Sequence, residues 1–116
     1  MSKNKELGLE GERFAANYLL KRGWKILETN YRSGRYEIDV IASKNGMLAF
    51  VEVKTRTNTS FGLPEEFVDR KKAANIMKGA ERYIRKIDWK GNIRFDIISI
   101  LKKEWMEIEH FEDAFY

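Results

Sequence analysis

The dipeptide Asn45-Gly46 stands between two apolar runs, Glu37-Ile38-Asp39-Val40-Ile41 and Phe50-Val51-Glu52-Val53-Lys54, and it constrains the fold more than any other feature of the chain. Asn-Gly in such a setting favours a two-residue hairpin turn with both central residues at positive φ. That turn sets Lys44 opposite Met47, and in the same register Asp39 falls opposite Glu52. Alternation along each strand then groups Glu37, Asp39, Ile41 and Ser43 with Leu48, Phe50, Glu52 and Lys54 on one face, and Ile38, Val40, Ala42, Ala49, Val51 and Val53 on the other. Like charges directly across a strand pair destabilise it, and burying unpaired carboxylates costs more. An Asp39/Glu52 pair therefore needs a compensating cation, either a divalent metal or a basic side chain.

The flanking segments supply a fold around this hairpin. Residues 5–22 have helical spacing and end at Gly23, a natural C′ residue after Lys21-Arg22. Gly8 and Gly11 inside that helix cost roughly 1 kcal/mol each relative to Ala, which points to a close approach of its first turns to another element. Glu12 rides on the same face. Residues 24–31 read as a strand, Ser33-Gly34 as a turn, and 55–62 as a polar loop leaving the hairpin beside the charged cluster. Pro64 introduces a helix to about Ile87, with Ala73, Ile76, Met77, Ala80, Ile84 and Ile87 as its apolar stripe and Lys72 continuing it. Residues 93–101 form a nearly continuous apolar run, as a strand buried on both faces does, and residues 105–111 read as an edge strand. The order is α-β-β-β-α-β-β. The strand–helix–strand connection predicts a parallel pairing and hence a mixed sheet.

With 116 residues and 43% hydrophobic content, the expectation is one domain spanning 1–116. Twenty-two Lys and Arg against 18 Asp and Glu give a formal charge of +4, which suits a polyanionic partner. There is no cysteine, so disulfides, thiolate metal sites and cysteine nucleophiles are excluded together. No run approaches the ~20 apolar residues of a membrane span, and a soluble, cytoplasmic protein with no membrane partner is the expectation.

His110 is the only histidine, and no serine sits in a nucleophile-elbow pattern. Carboxylates and lysine remain for acid–base and electrostatic work, the toolkit of metal-assisted phosphodiester hydrolysis. Asp39, Glu52 and a main-chain carbonyl are hard oxygen ligands suited to Mg²⁺ or Mn²⁺, and Lys54 projects from the face of Glu52 to orient or deprotonate a water or to stabilise charge on phosphorus.

Asp39 followed by Glu52-Val53-Lys54 is similar to the PD-(D/E)xK nuclease motif. Over nearly the whole chain, Gly8, Gly11-Glu12, Ala15, Glu37-Ile38-Asp39, Phe50-Val51-Glu52-Val53-Lys54-Thr55-Arg56, Phe61-Gly62, Lys72, Ala80 and Arg94-Phe95-Asp96 resemble the small bacterial YraN-like family. That family belongs to the restriction-endonuclease-like fold and is compared with Holliday-junction resolvases. The resemblance implies an α/β fold with an α-β-β-β-α-β core and a mixed central sheet flanked by helices, here with an added C-terminal edge strand. It implies Asp39 and Glu52 as metal ligands, the Val53 carbonyl as a third, Glu12 as an additional carboxylate and Lys54 as the catalytic lysine. Tyr36 departs from the family pattern, standing where the glycine of G-E-I-D would be, and no proline precedes Asp39.

Each assignment has a plainer alternative. Asp39 and Glu52 could be neutralised by Lys54, Arg56, Arg32 or Arg35 in a salt-bridge network. Glu12 could be a charge at a helix N-terminus, and Lys72 could snorkel rather than touch a phosphate. Arg32, Arg35 and Arg56 are read as lining a groove for a nucleic-acid backbone, against an ordinary solvated surface. Glu37 faces Lys54 in this register and reads as a structural partner, as does Asp96 beside Arg94, while His110 reads as a surface residue. The leading expectation is a Mg²⁺- or Mn²⁺-dependent nuclease acting on DNA, including branched or junction DNA, for which a two-fold dimer would provide two incisions. The alternatives are a non-catalytic nucleic-acid-binding module on the same fold and a retaining glycosidase, whose carboxylates lie ~5 Å apart but need no lysine.

Overall fold

A computed structural model describes residues 3–57 and 68–115. Helix α1 spans Lys3–Lys21, strands β1, β2 and β3 span Lys25–Ser33, Tyr36–Lys44 and Met47–Arg56, helix α2 spans Arg70–Ile87, and strands β4 and β5 span Asn92–Lys102 and Met106–Phe111. The five strands form one sheet in the order β1-β2-β3-β4-β5, antiparallel except for β3 and β4, which run parallel. This is the predicted α-β-β-β-α-β-β order and mixed sheet, with an edge strand at the C-terminus.

The hairpin forms as its turn dictates. Asn45 and Gly46 both have positive φ, and the ladder runs from Lys44 opposite Met47 to Val40 opposite Val51. It stops there. Towards its start, β2 pairs only with β1, through Ile38, Glu37 and Tyr36. Beyond Val51, β3 pairs only with β4, from Glu52 opposite Ile97 to Arg56 opposite Leu101. The sheet thus forks where the next rung would have joined Asp39 to Glu52.

Two expectations fail at this fork. Glu37 does not face Lys54, because no β2–β3 rung exists there, and it forms an ion pair with Arg32 across β1 and β2 instead. Ile38 does not share a face with Val40: it packs with Ala80 and Tyr83 under α2, whereas Val40 packs with Ala15 and Leu19 under α1. The alternation slips at Asp39, opposite which Asn30 takes a left-handed conformation (φ 51°) and the Asn30–Asp39 rung is missing.

Each face of the sheet is covered by one helix. Ala15, Leu19 and Trp24 close over Val40, Ala42, Ala49, Val51, Ile98 and Ile100 on one side. Ala73, Ile76, Ala80 and Tyr83 close over Ile41, Leu48, Phe50 and Ile97 on the other. β4 is apolar almost throughout because it is buried on both faces, Asp96 and Ser99 included. α2 starts after Asp69, whose carboxylate accepts the Lys72 amide at 2.8 Å as an N-cap, so it does not run unbroken from Pro64, which lies outside the described residues. The polar loop expected at 55–62 begins later, since Thr55 and Arg56 extend β3, and its remainder from residue 58 also lies outside them. Ile87 is 38% exposed, and Tyr83 and Gly79 take places on the buried stripe.

His110 is not a surface residue. Its side chain is 8% exposed, and its Nε2 donates to Asp96 at 2.8 Å while Tyr18 Oη lies 3.3 Å from Nδ1. Asp96, fully buried, also accepts from Arg94 Nε and Nη2 and from the Asp113 amide. Burial pushes the Asp96 pKa up, but the hydrogen bonds from His110, Arg94 and Asp113 outweigh it and hold the carboxyl below its usual range.

The two glycines of α1 differ in what they permit. A Cβ on Gly11 would lie 2.8 Å from the Thr55 Cβ, so α1 touches β3 through a glycine, whereas a Cβ on Gly8 would meet nothing within 4 Å. Gly11→Ala is therefore expected to destabilise the protein by about 1–3 kcal/mol through overpacking, and Gly8→Ala to stabilise it by about 1 kcal/mol through helix propensity, as read by denaturant unfolding. Equal effects at the two positions would contradict the close approach.

Candidate functional site

Where β2 and β3 part, each strand leaves backbone groups without a partner on the other, and a buried N–H must find one. The first such donor on β3 is Val53 N–H, and the Asp39 carboxylate takes it at 2.8 Å through Oδ2. This contact stands in for the missing rung and points the Asp39 carboxyl across the fork. Glu52, 9% exposed, lies beside it, close enough for Asp39 to act on its ionisation. Lys72 reaches Glu52 from α2, Nζ to Oε2 at 3.5 Å. Glu12 approaches from α1, with the Asn30 side chain hydrogen-bonded to it. Its Oε2 is buried without a hydrogen-bond partner, as is Thr55 Oγ1 beside Gly11.

The electrostatics follow from this placement. Burial, then the hydrogen bond and charge of Asp39, push the Glu52 pKa from 4.5 up to about 9, with Lys72 opposing them. Glu12 is also raised, first by burial and then by Asp39, against the Asn30 hydrogen bond. In the absence of another cation Glu52 therefore keeps its proton into the neutral range, and at neutral pH Lys72 meets a largely protonated acid rather than a full ion-pair partner.

This environment fits a divalent cation. Carboxyl groups from β2 and β3 adjoin, a third from α1 carries an orphaned oxygen in the same field, and the charge of Asp39 helps to hold Glu52 in its protonated form. Among the described residues no three His, Cys, Asp or Glu side chains are drawn close enough to ligate one ion together. The fit is thus for an ion that takes two protein carboxylates and keeps several waters, as Mg²⁺ commonly does.

The other predicted residues lie around this fork in unequal ways. Val53 contributes its N–H to Asp39, and Lys54, half-buried, follows Glu52 by two positions on β3, opposite Ser99 of β4. Arg56 ends β3 opposite Leu101. Arg32 is spent on Glu37, and the Arg35 guanidinium lies over the Tyr36 ring at 5.4 Å. Of the basic residues assigned to a groove, Lys72 contacts a site carboxylate, Glu52. Asn30 and Thr55 belong to the site, and neither was singled out from the sequence. Asn is among the few non-glycine residues that tolerate positive φ, but Asn30 sits in a strand-like run that gives no sign of it. A cavity of about 650 Å³ at the start of α2, lined by Val68, Ala73, Ala74, Met77, Ala114 and Phe115, includes none of the site carboxylates.

A mixed sheet with this topology, a helix on each face and an acidic cluster at its fork define an α/β protein with a restriction-endonuclease-like core. A family model described as uncharacterised protein family UPF0102 matches residues 11–100. The chain belongs to this family, the YraN-like family. Among its relatives, UPF0102 protein FP2501 of Flavobacterium psychrophilum is 44% identical over all of this chain and 98% of its own length. The UPF0102 protein of Parabacteroides distasonis is 43% identical over all of this chain and 97% of its own, and that of Dictyoglomus thermophilum 52% identical over 84% of each.

The raised Glu52 pKa has a consequence for stability. Below its unfolded value of 4.5 both states carry the proton, and between 4.5 and about 9 only the folded state does. Stability of the metal-free protein should therefore fall as pH rises through that window, by at most about 1.4 kcal/mol per pH unit from this group. Glu52→Gln is expected to flatten the decline and to be the more stable form near pH 8.5, by denaturant unfolding across pH. An unchanged slope in Glu52→Gln would show that Glu52 is not the group that takes up the proton.

Proposed function

We propose that this protein is a Mg²⁺- or Mn²⁺-dependent nuclease that hydrolyses DNA phosphodiester bonds at the fork between β2 and β3. The observation that carries the reading is the Asp39–Glu52 carboxyl pair, held together by the Asp39–Val53 hydrogen bond and burdened with a charge problem that a cation would relieve. Asp39 and Glu52 would hold the ion, with the Val53 carbonyl as a further oxygen donor and Glu12 acting through a bound water. A bound divalent cation would supply Lewis-acid polarisation of a phosphoryl oxygen and a water of lowered pKa. Lys54 would orient or deprotonate the attacking water, or neutralise charge building on the phosphoryl oxygens. Lys72, next to Glu52, would be released towards a phosphate once Glu52 serves the ion.

A second reading, a nucleic-acid-binding protein without cleavage, draws on one specific observation: Lys72 and a proton already satisfy Glu52. A panel of linear, single-stranded and four-way-junction DNA with Mg²⁺ or Mn²⁺ separates the two. Asp39→Ala is expected to lower cleavage by about 10³-fold and Lys54→Ala by about 10²-fold, the scale at which loss of transition-state charge stabilisation or a positioned acid–base group is felt. Cleavage that persists in both variants would refute the site. Binding without cleavage by the parent protein would select the second reading. Paired nicks in a junction would further require a two-fold dimer, checked by sedimentation.

A further inference from the structure

Tyr36, the residue that departs from the family pattern, sits beneath two guanidinium groups and within the field of a lysine. The Arg35 guanidinium lies 5.4 Å from its ring centroid and that of Arg82 4.9 Å, and Lys78 acts on the same phenol, whose pKa is lowered by the hydrogen bond and charge of Arg35 and by the charges of Lys78 and Arg82. Arg82 is fixed in place: its Nη1 lies 3.3 Å from Ser33 Oγ, and Gly34, at φ 60°, leaves room for it, since a Cβ there would meet Nη1 at 3.1 Å. Gly79 lets α2 settle on β2, because a Cβ at that position would stand 3.1 Å from Tyr36 Cβ.

None of Arg35, Lys78 and Arg82 has a carboxylate partner among the described residues. The nearby acids are engaged elsewhere, Glu37 with Arg32 and Glu81 with Arg85. Three exposed cations gathered about one phenol without an acid repel one another, and α2 adds no compensation, carrying the single acid Glu81 against seven Lys and Arg. This patch connects to the fork along two elements. Tyr36 precedes Asp39 by three residues on β2, about 10 Å of strand, and Arg82 follows Lys72 by ten residues on α2, about 15 Å of helix. At one phosphate per ~3.4 Å of duplex axis on each strand, that span covers about three to five phosphates.

We infer that Lys78 and Arg82 of α2, with Arg35 of the β1–β2 turn, form a phosphate track that receives the backbone of a nucleic acid and leads it to the carboxylate fork. The inference deepens the reading of the fork as a nucleic-acid site and rests on it for the direction of the track, but binding along it does not require cleavage. Both helix residues are exposed, and Arg82 meets the core only through the Tyr36 ring face, so Lys78→Ala/Arg82→Ala is expected to fold, with circular dichroism of the parent and at most a small drop in melting temperature.

The test is the affinity of the full chain for a fluorescein-labelled 20-base-pair duplex, measured by anisotropy without divalent metal from 0.05 to 0.5 M salt. Losing two phosphate contacts should reduce the slope of log K against log salt by about 1.8 and weaken binding about 60-fold at 0.1 M salt. Asp39→Ala, which leaves the track intact and removes a negative charge near its end, should bind as tightly as the parent or more tightly. A double variant within twofold of the parent and with an unchanged slope would overturn the track, whether or not the parent cleaves DNA. So would a parent protein that binds vesicles of anionic phospholipid but not the duplex. A parent that binds with the predicted salt dependence and cleaves nothing would leave the track standing and remove the nuclease.

Discussion

The hydrogen bond from Val53 N–H to the Asp39 carboxylate is the contact on which the rest of the site depends. It forms because β2 and β3 separate after the Val40–Val51 rung, and a strand that loses its neighbour must satisfy its backbone elsewhere. An aspartate is short enough to do this from the adjacent strand. In doing so its carboxyl is drawn to that of Glu52, so a backbone requirement produces an electrostatic conflict. The parallel β3–β4 ladder allows the separation, since it holds β3 in the sheet as far as Arg56 after β2 has left.

The helices act on that conflict from opposite faces. α1 comes close enough to β3, through Gly11, to bring Glu12 into the field of Asp39, which adds negative charge. α2 brings Lys72 to Glu52, which relieves it. The balance leaves Glu52 protonated over the neutral range, and a proton in a carboxylate cluster marks a place where a harder cation can compete. The Asp96–His110–Arg94 network at the β4–β5 edge contrasts with this. Its carboxylate is more deeply buried, yet two basic side chains and an amide satisfy it, and its pKa falls instead of rising. The cluster at the fork is the under-compensated one of the two.

The hairpin was legible in the sequence because Asn45-Gly46 determines register through turn geometry alone, and that register persists to Val40 opposite Val51. Lys72 was legible because i, i+4 spacing places it on the same stripe as Ile76, above the sheet. What escaped was set by contacts distant in sequence. The slip that sends Ile38 towards α2 coincides with Asn30, which takes a left-handed backbone where its rung with Asp39 is missing and whose side chain acts on Glu12, distant in sequence. His110 looked like a surface histidine because nothing near residue 110 announces Asp96, its partner across the β4–β5 pair. Tyr36 marked a departure from the family pattern, but the cations around it come from the turn and from a helix more than 40 residues away, and only the fold puts them together.

The central claim is that positive charge held between Asp39 and Glu52 can be supplied by a divalent cation in place of a proton. Calorimetric titration of the protein with Mn²⁺ at pH 7.5, repeated in buffers of different ionisation enthalpy, counts the protons released per ion bound. The predicted result is saturable binding with about one proton released, absent from Asp39→Ala, as expected when an ion displaces the proton of a carboxyl whose pKa stands above the working pH. Binding without proton release, or no binding, would contradict it.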